Sequence, residues 1–216
     1  MISLVIFDCD GVLVDSEPIS CRIMAEALGA EGLPYTTEEC MRDYMGRAWE
    51  DSLQIIERKL GHPPTAGFTE GFRARRDAAL SEEVTAIDGV RDAIEAIDAE
   101  RCVASSGTRS KIRLTLGVTG LLPFFEERIF SATEVDRGKP APDLFLHAAR
   151  TMGHEPKRCA VVEDTPVGIK AAGAAGMRAL GYVDNAPREA LEAEGAAHTF
   201  TNMRDLPALL RGVRHA

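Results

Sequence analysis

The chain opens on Ile2-Ser3-Leu4-Val5-Ile6-Phe7, an apolar run that stops at Asp8, Cys9, Asp10 and Gly11. A short run rich in β-branched and aromatic residues is the pattern of a strand buried on both faces, and such strands belong to parallel sheets covered by helices. Residues that follow a strand of this kind lie at the carboxyl edge of the sheet, where open α/β folds keep their ligands. On extended backbone Asp8 and Asp10 flank Cys9 and point to one side. Two carboxylates so placed repel unless a cation lies between them or one holds a proton. Asp-Gly after an apolar run also reads as a plain turn, so the pair takes its meaning from the rest of the chain.

After Asp15-Ser16-Glu17-Pro18, which reads as a helix start with Pro in the first turn, strand patterns vanish until about residue 84. Thr36-Thr37-Glu38-Glu39 offers a capping box, and Gly29, Gly46, Gly61 and Pro63-Pro64 supply stops. From Asp88-Gly89 the pattern changes. Val90, Ala93, Ile94 and Ile97 have helical spacing, and short apolar strands follow at 102–104, 128–130, 159–162 and 179–183, separated by helical segments at 144–152 and 167–175. Strands alternating with helices predict a doubly wound, parallel, Rossmann-like sheet. The expected organisation is an α/β core of residues 1–15 and 85–216, with an α-helical cap inserted over 16–84. A lid at this point would hang over Asp8 and Asp10, excluding water and selecting substrate.

The formal charge of −9 disfavours nonspecific binding to nucleic acid or to acidic membranes, so an anionic substrate needs local positive charge. Five scattered cysteines without a CxxC pair read as reduced core residues. With the first strand starting at residue 2 and no apolar stretch near the ~20 residues of a membrane span, the expectation is a cytoplasmic monomer without a membrane segment.

Each later strand ends in groups suited to one task. The strand at 102–104 runs into Ser105-Ser106-Gly107-Thr108, where hydroxyl and amide donors before a helix suit a phosphate; a serine-rich helix cap looks the same. Arg137-Gly138-Lys139-Pro140 presents one lysine from a loop whose backbone Pro140 restricts. Val161-Val162 ends in Glu163-Asp164, a second pair of acids. The helix macrodipole accounts for one acid at such a place but not for two pairs, whereas carboxylates converging on one sheet edge describe an oxygen-lined Mg²⁺ site.

In this order the four segments resemble the haloacid dehalogenase superfamily over essentially the whole chain. Asp8-Cys9-Asp10-Gly11-Val12-Leu13-Val14-Asp15-Ser16-Glu17 is similar to its first motif, Ser105 to its second, Lys139 to its third and Glu163-Asp164 to its fourth. The helical insertion resembles the cap of the branch that holds β-phosphoglucomutase and phosphoglycolate phosphatase. The resemblance implies that Asp8 attacks phosphorus to form an aspartyl-phosphate and that Asp10 is the acid and base. It also implies that Ser105, Ser106, Gly107 and Lys139 hold the phosphoryl group, and that Mg²⁺ is bound by Asp8, the main-chain carbonyl of Asp10, Glu163 and Asp164. The expected activity is Mg²⁺-dependent hydrolysis of a small phosphomonoester, a sugar phosphate or sugar-acid phosphate. A phosphosugar mutase is the alternative, disfavoured because Ser20 stands where the mutase branch has a histidine; a silent binding module is the second alternative. In the cap, the segment from Gly46 to Ser52 resembles the substrate-specificity loop, so Arg47 and Trp49, with Arg75 and Arg76 from the cluster that also holds Arg73, are the candidates for substrate selection.

Overall fold

The computed structural model describes residues 1–47 and 49–212. The elements run β1 (Leu4–Phe7), β2 (Val14–Asp15), α1 (Glu17–Ala30), α2 (Thr37–Tyr44), α3 (Trp49–Leu60), α4 (Phe68–Glu83), β3 (Thr85–Ala86), α5 (Val90–Glu95), β4 (Glu100–Ser105) and α6 (Arg109–Val118). They continue with α7 (Leu122–Phe125), β5 (Ile129–Ser131), α8 (Asp143–Thr151), β6 (Cys159–Glu163), α9 (Pro166–Ala174), β7 (Arg178–Tyr182), α10 (Arg188–Ala193), β8 (His198–Phe200) and α11 (Leu206–Gly212). Six parallel strands form one sheet in the order β5-β4-β1-β6-β7-β8.

β1 is central, with Phe7 level with Val103 on one side and Val162 on the other. All four of its residues are wholly buried, as a continuous apolar run requires. Its side chains alternate between two cores. Val5 and Phe7 pack with Ile94, Ile112 and Phe125 from α5, α6 and α7; Leu4 and Ile6 pack with Phe145 and Ile169 from α8 and α9. The small residues Ala171 and Ala172 are fully buried, so α9 lies close on the sheet.

Helices α1 to α4 have a core of their own, including Leu28, Cys40, Tyr44, Ile56 and Phe72. The chain leaves the sheet domain through β2 and returns through β3, and these pair antiparallel, Val14 with Ala86 and Asp15 with Thr85. The Thr36–Glu39 capping box forms at the start of α2 as predicted. Two features differ from the sequence reading. The sheet has an edge strand, β8, whose His198-Thr199-Phe200 carries no apolar run to mark it, and Gly29 lies inside α1 instead of ending it. The closing helix foreseen for the C-terminal segment is α11, and the tail beyond it lies outside the described residues. Among the described residues no helix is long and apolar enough to cross a membrane, and all five cysteines are buried and unpaired.

Candidate active site

Because β1, β4 and β6 are parallel neighbours, the residues after each strand meet at one edge of the sheet, under α1 to α4 of the insertion. They line a cavity of ≈ 520 Å³. Asp8 follows β1 and is 7% exposed. Lys139 Nζ donates to Asp8 Oδ1 at 2.5 Å and to Glu163 Oε1 at 2.7 Å, across a cis Lys139–Pro140 loop. Burial pushes the Asp8 carboxyl up from 3.8 to about 7, with Lys139 opposing and Glu163 and Asp10 adding to the rise. For the lysine, burial disfavours the charge, but Asp8 and Glu163 outweigh it and hold the ammonium protonated.

Asp10 sits in a different environment. Lys111 Nζ donates to its Oδ1 at 2.8 Å, and Ser16 Oγ donates to the same oxygen. Burial raises this carboxyl, yet Lys111 and Ser16 more than offset it, so the pKa is lowered. Ser16 is the N-cap residue of α1 but makes no side-chain cap bond; its hydroxyl serves Asp10 instead.

The phosphate-binding candidates are held by a loop lock. Gly107 N–H donates to Ser105 Oγ at 3.1 Å, and Ser131 Oγ donates to the Gly107 carbonyl at 2.7 Å. Ser105 is buried, Ser106 exposed, and both line the cavity with Gly107 at the start of α6.

The groups expected to share a metal are Asp8, the main-chain carbonyl of Asp10, Glu163 and Asp164, and for Glu163 the expectation needs correction. Glu163 is fully engaged: Oε1 accepts from Lys139, and Oε2 accepts from Thr165 N–H at 2.9 Å and Thr165 Oγ1 at 2.8 Å. The carboxylate of Asp10 is taken by Lys111 and Ser16, and the expectation at this residue concerned its main-chain carbonyl instead. Asp164 is the contrast. It is 2% exposed, Asn185 Nδ2 donates to its Oδ2 at 3.1 Å, and its Oδ1 has no hydrogen-bond partner. Burial, then Glu163 and Asp8, raise its pKa well above the usual range. Among the described residues no three His, Cys, Asp or Glu side chains converge on one point. A buried carboxylate oxygen without a donor, next to Asp8, nonetheless fits a hard cation with oxygen ligands.

Two glycines make this packing possible. A Cβ on Gly11, at φ +76°, would lie 2.2 Å from Asp164 Oδ2, and one on Gly168 in α9 would lie 1.8 Å from Glu163 Oε1. Gly168→Ala must displace Glu163 and is expected to destabilise by about 1–3 kcal/mol. Gly173→Ala, in the same helix with nothing within 4 Å of the added carbon, is expected to be neutral or stabilising by up to ~1 kcal/mol. Urea midpoints of the two variants check the contrast.

In the cap, Trp49 stacks on Phe72 at 5.1 Å between centroids, with Arg73 over its indole, and Arg47 donates from Nε to the Asp43 carbonyl at 2.7 Å. Arg47, Trp49, Arg73 and Arg76 line the cavity. Arg75 does not: it pairs with Glu26 on the outside of α1, a correction to its expected role. The residues missed in the sequence are Ser16, Glu17, Lys111 and Asn185. Glu17 lines the cavity, and burial with Asp10 raises its carboxyl to about 7.

A family model described as haloacid dehalogenase-like hydrolase matches residues 2–176. The chain is 32% identical over 211 residues to the 6-phosphogluconate phosphatase of Escherichia coli, covering 96% of this chain and 94% of that one. Against the fructose-1-phosphate phosphatase of the same bacterium it is 35% identical over 178 residues, covering 81% and 93%. A solved haloacid dehalogenase-like protein of Agrobacterium tumefaciens aligns with a TM-score of 0.84 at 36% identity, over 98% of this chain and 99% of that one. The chain thus belongs to the haloacid dehalogenase-like hydrolases and is an enzyme acting on phosphomonoesters.

Proposed function

We propose that the protein is a Mg²⁺-dependent phosphatase of small phosphorylated sugars or sugar acids, working through an aspartyl-phosphate on Asp8. The observation that carries this reading is the division of labour between the two carboxylates after β1. Asp8 is buried against Lys139, whereas Asp10 is bound by Lys111 and Ser16, so one can act as nucleophile while the other moves a proton. The substrate class is supported by the sugar-phosphate phosphatases among the relatives.

In this mechanism Ser105 and the amides of Ser106 and Gly107 hold the phosphoryl oxygens, and Lys139 neutralises both them and Asp8. An Asp8 oxygen attacks phosphorus, the ester P–O bond breaks, and its electron pair leaves on the sugar oxygen, which takes a proton from Asp10. The arriving phosphate dianion raises the Asp10 pKa, since like charge favours the protonated form. Asp10 then removes a proton from water, the water oxygen attacks phosphorus, and the Asp8–phosphorus bond breaks to release inorganic phosphate. Mg²⁺, held by Asp8, Asp164 and the main-chain carbonyl of Asp10, supplies the charge that lets a carboxylate approach a phosphate. The proposed working unit is a monomer, and five unpaired cysteines suit the reducing cytoplasm.

The test is phosphate release from a panel of sugar phosphates, sugar-acid phosphates, phosphoglycolate and β-glucose 1-phosphate, with and without Mg²⁺. Metal-dependent hydrolysis led by a sugar or sugar-acid phosphate supports the reading. Conversion of β-glucose 1-phosphate to its 6-phosphate without release would make the protein a mutase, and no reaction at all would leave a binding module.

Metal binding also has a pH signature. Without metal, Asp8 is raised in the folded state from 3.8 to about 7 and Asp164 well above its usual range. The folded state then binds protons that the unfolded chain has released, so stability falls as pH rises from about 4 through about 7. Mg²⁺ needs the deprotonated carboxylates. The Mg²⁺-induced rise in Tm is therefore expected to be larger near pH 8 than near pH 5.5, as differential scanning fluorimetry will read; an equal rise at both would contradict it.

A further inference from the structure

Lys111 is a buried cation that the phosphoryl-transfer steps above leave without a direct task. It occupies the third position of α6, where Thr108 is the N-cap and accepts from Lys111 N–H. The first turn of a helix already carries partial positive charge from its free amides, so a cation there is disfavoured. Its side chain is nevertheless only 11% exposed, and its ammonium lines the cavity beside Asp10.

An ammonium has three donors, and among the described residues Asp10 takes one of them. The other cavity cations are differently placed. Lys139 serves Asp8, Glu163 and the phosphoryl group, Arg76 pairs with Asp77 at 2.7 Å, Arg47 bonds the Asp43 carbonyl, and Arg73 lies over Trp49. Lys111 is therefore a core-domain cation outside the phosphoryl contacts, beside Asp10, with donors to offer the leaving group. Its neighbour sets the reach of the contact. In the phosphatase reading Asp10 exchanges its proton with the leaving oxygen, so an ammonium 2.8 Å from Asp10 lies within reach of a substituent on the carbon next to the esterified one.

We infer that Lys111 is a substrate-specificity residue that donates to an oxygen on the carbon adjacent to the phosphoester. The substrate class it selects is phosphoesters of polyols and hydroxy acids that carry a hydroxyl or carboxylate at that carbon. Lys111 thereby reads the substrate from the core domain, below the cap, and leaves the cap arginines to the far end of the leaving group. The inference rests on the phosphatase reading above, and in particular on Asp10 serving the leaving oxygen.

The test uses three esters of graded character: glycerol 1-phosphate with an adjacent hydroxyl, phosphoglycolate with an adjacent carboxylate, and propyl phosphate with neither. Wild type is expected to favour the first two over propyl phosphate by about 10- to 100-fold in kcat/KM, the range of one hydrogen bond to a charged donor. Lys111→Met is expected to slow all three, because Asp10 loses a partner, and in addition to bring the ratio to within about threefold of unity. Lys111→Arg, which retains the charge and the donors, is expected to keep a ratio of about tenfold or more.

An unchanged ratio in Lys111→Met, with all rates equally reduced, would show that Lys111 acts only by positioning Asp10 and would overturn the inference. Wild type that hydrolyses all three esters equally would overturn it without any variant and leave the phosphatase reading intact. Wild type that hydrolyses none, nor p-nitrophenyl phosphate, would remove the phosphatase reading itself and the inference with it.

Discussion

Asp8→Asn is expected to lower phosphate release by about 10⁴-fold or more with the fold intact, the scale of removing a covalent nucleophile. The amide is nearly the same size and fits the same buried place, but its oxygen carries no charge to attack phosphorus. Removing the charge also relieves the repulsion among Asp8, Glu163 and Asp10 that raises the Asp8 carboxyl, so the variant is expected to be no less stable than wild type in the absence of metal. Rates fall in kcat, and substrate binding through Ser105, Gly107 and Lys139 persists. Stopped phosphate assays beside thermal melts separate the two effects. A residual rate within about tenfold of wild type would remove Asp8 from the chemistry.

Lys139→Met is the second change with a large expected effect, and it acts on stability and activity together. The ammonium stands between Asp8 and Glu163, with side-chain exposures of 4%, 9% and 1% for the three groups. Deleting one member of a buried ion cluster strands the others, at about 3–5 kcal/mol. The loss is expected to be greatest above neutral pH and to shrink as pH falls, because protonated Asp8 needs no cation. Activity is expected to drop about 10²–10³-fold, the worth of one preorganised charge at a reacting group. Urea unfolding at two pH values and kcat/KM on the best substrate measure both. A stability change under ~1 kcal/mol would mean the cluster is not held by this lysine.

The class of fold was legible because β1 has no polar alternation, so its burial on both faces and the position of Asp8 follow from one short run. The helical insertion was legible from the loss of strand patterns after Asp15. The β2–β3 ribbon was not, since β2 and β3 are two residues each and carry no periodic signal. Some of the site was readable but passed over. Adjacent residues at a strand end point to opposite sides, so Glu163 and Asp164 were bound to serve different groups, Glu163 meeting Lys139 and Asp164 keeping an oxygen without a donor. Helical spacing likewise puts Arg73 and Arg76 on one face of α4 and turns Arg75 away. Lys111 was hidden for a physical reason. A lysine in an Arg109-Ser110-Lys111 helix start reads as a solvated face, and only the fold brings Asp10, more than a hundred positions earlier, to meet it.

The central claim is that Asp8 carries the phosphoryl group during turnover. The direct measurement is to quench the enzyme in acid during steady-state hydrolysis with Mg²⁺, digest it, and examine the peptide holding Asp8 by mass spectrometry, with and without borohydride. A phosphoryl group on that peptide, and homoserine at position 8 after reduction, is the predicted result. Full turnover with Asp8 unmodified, and the phosphoryl group on another residue or on none, would contradict it.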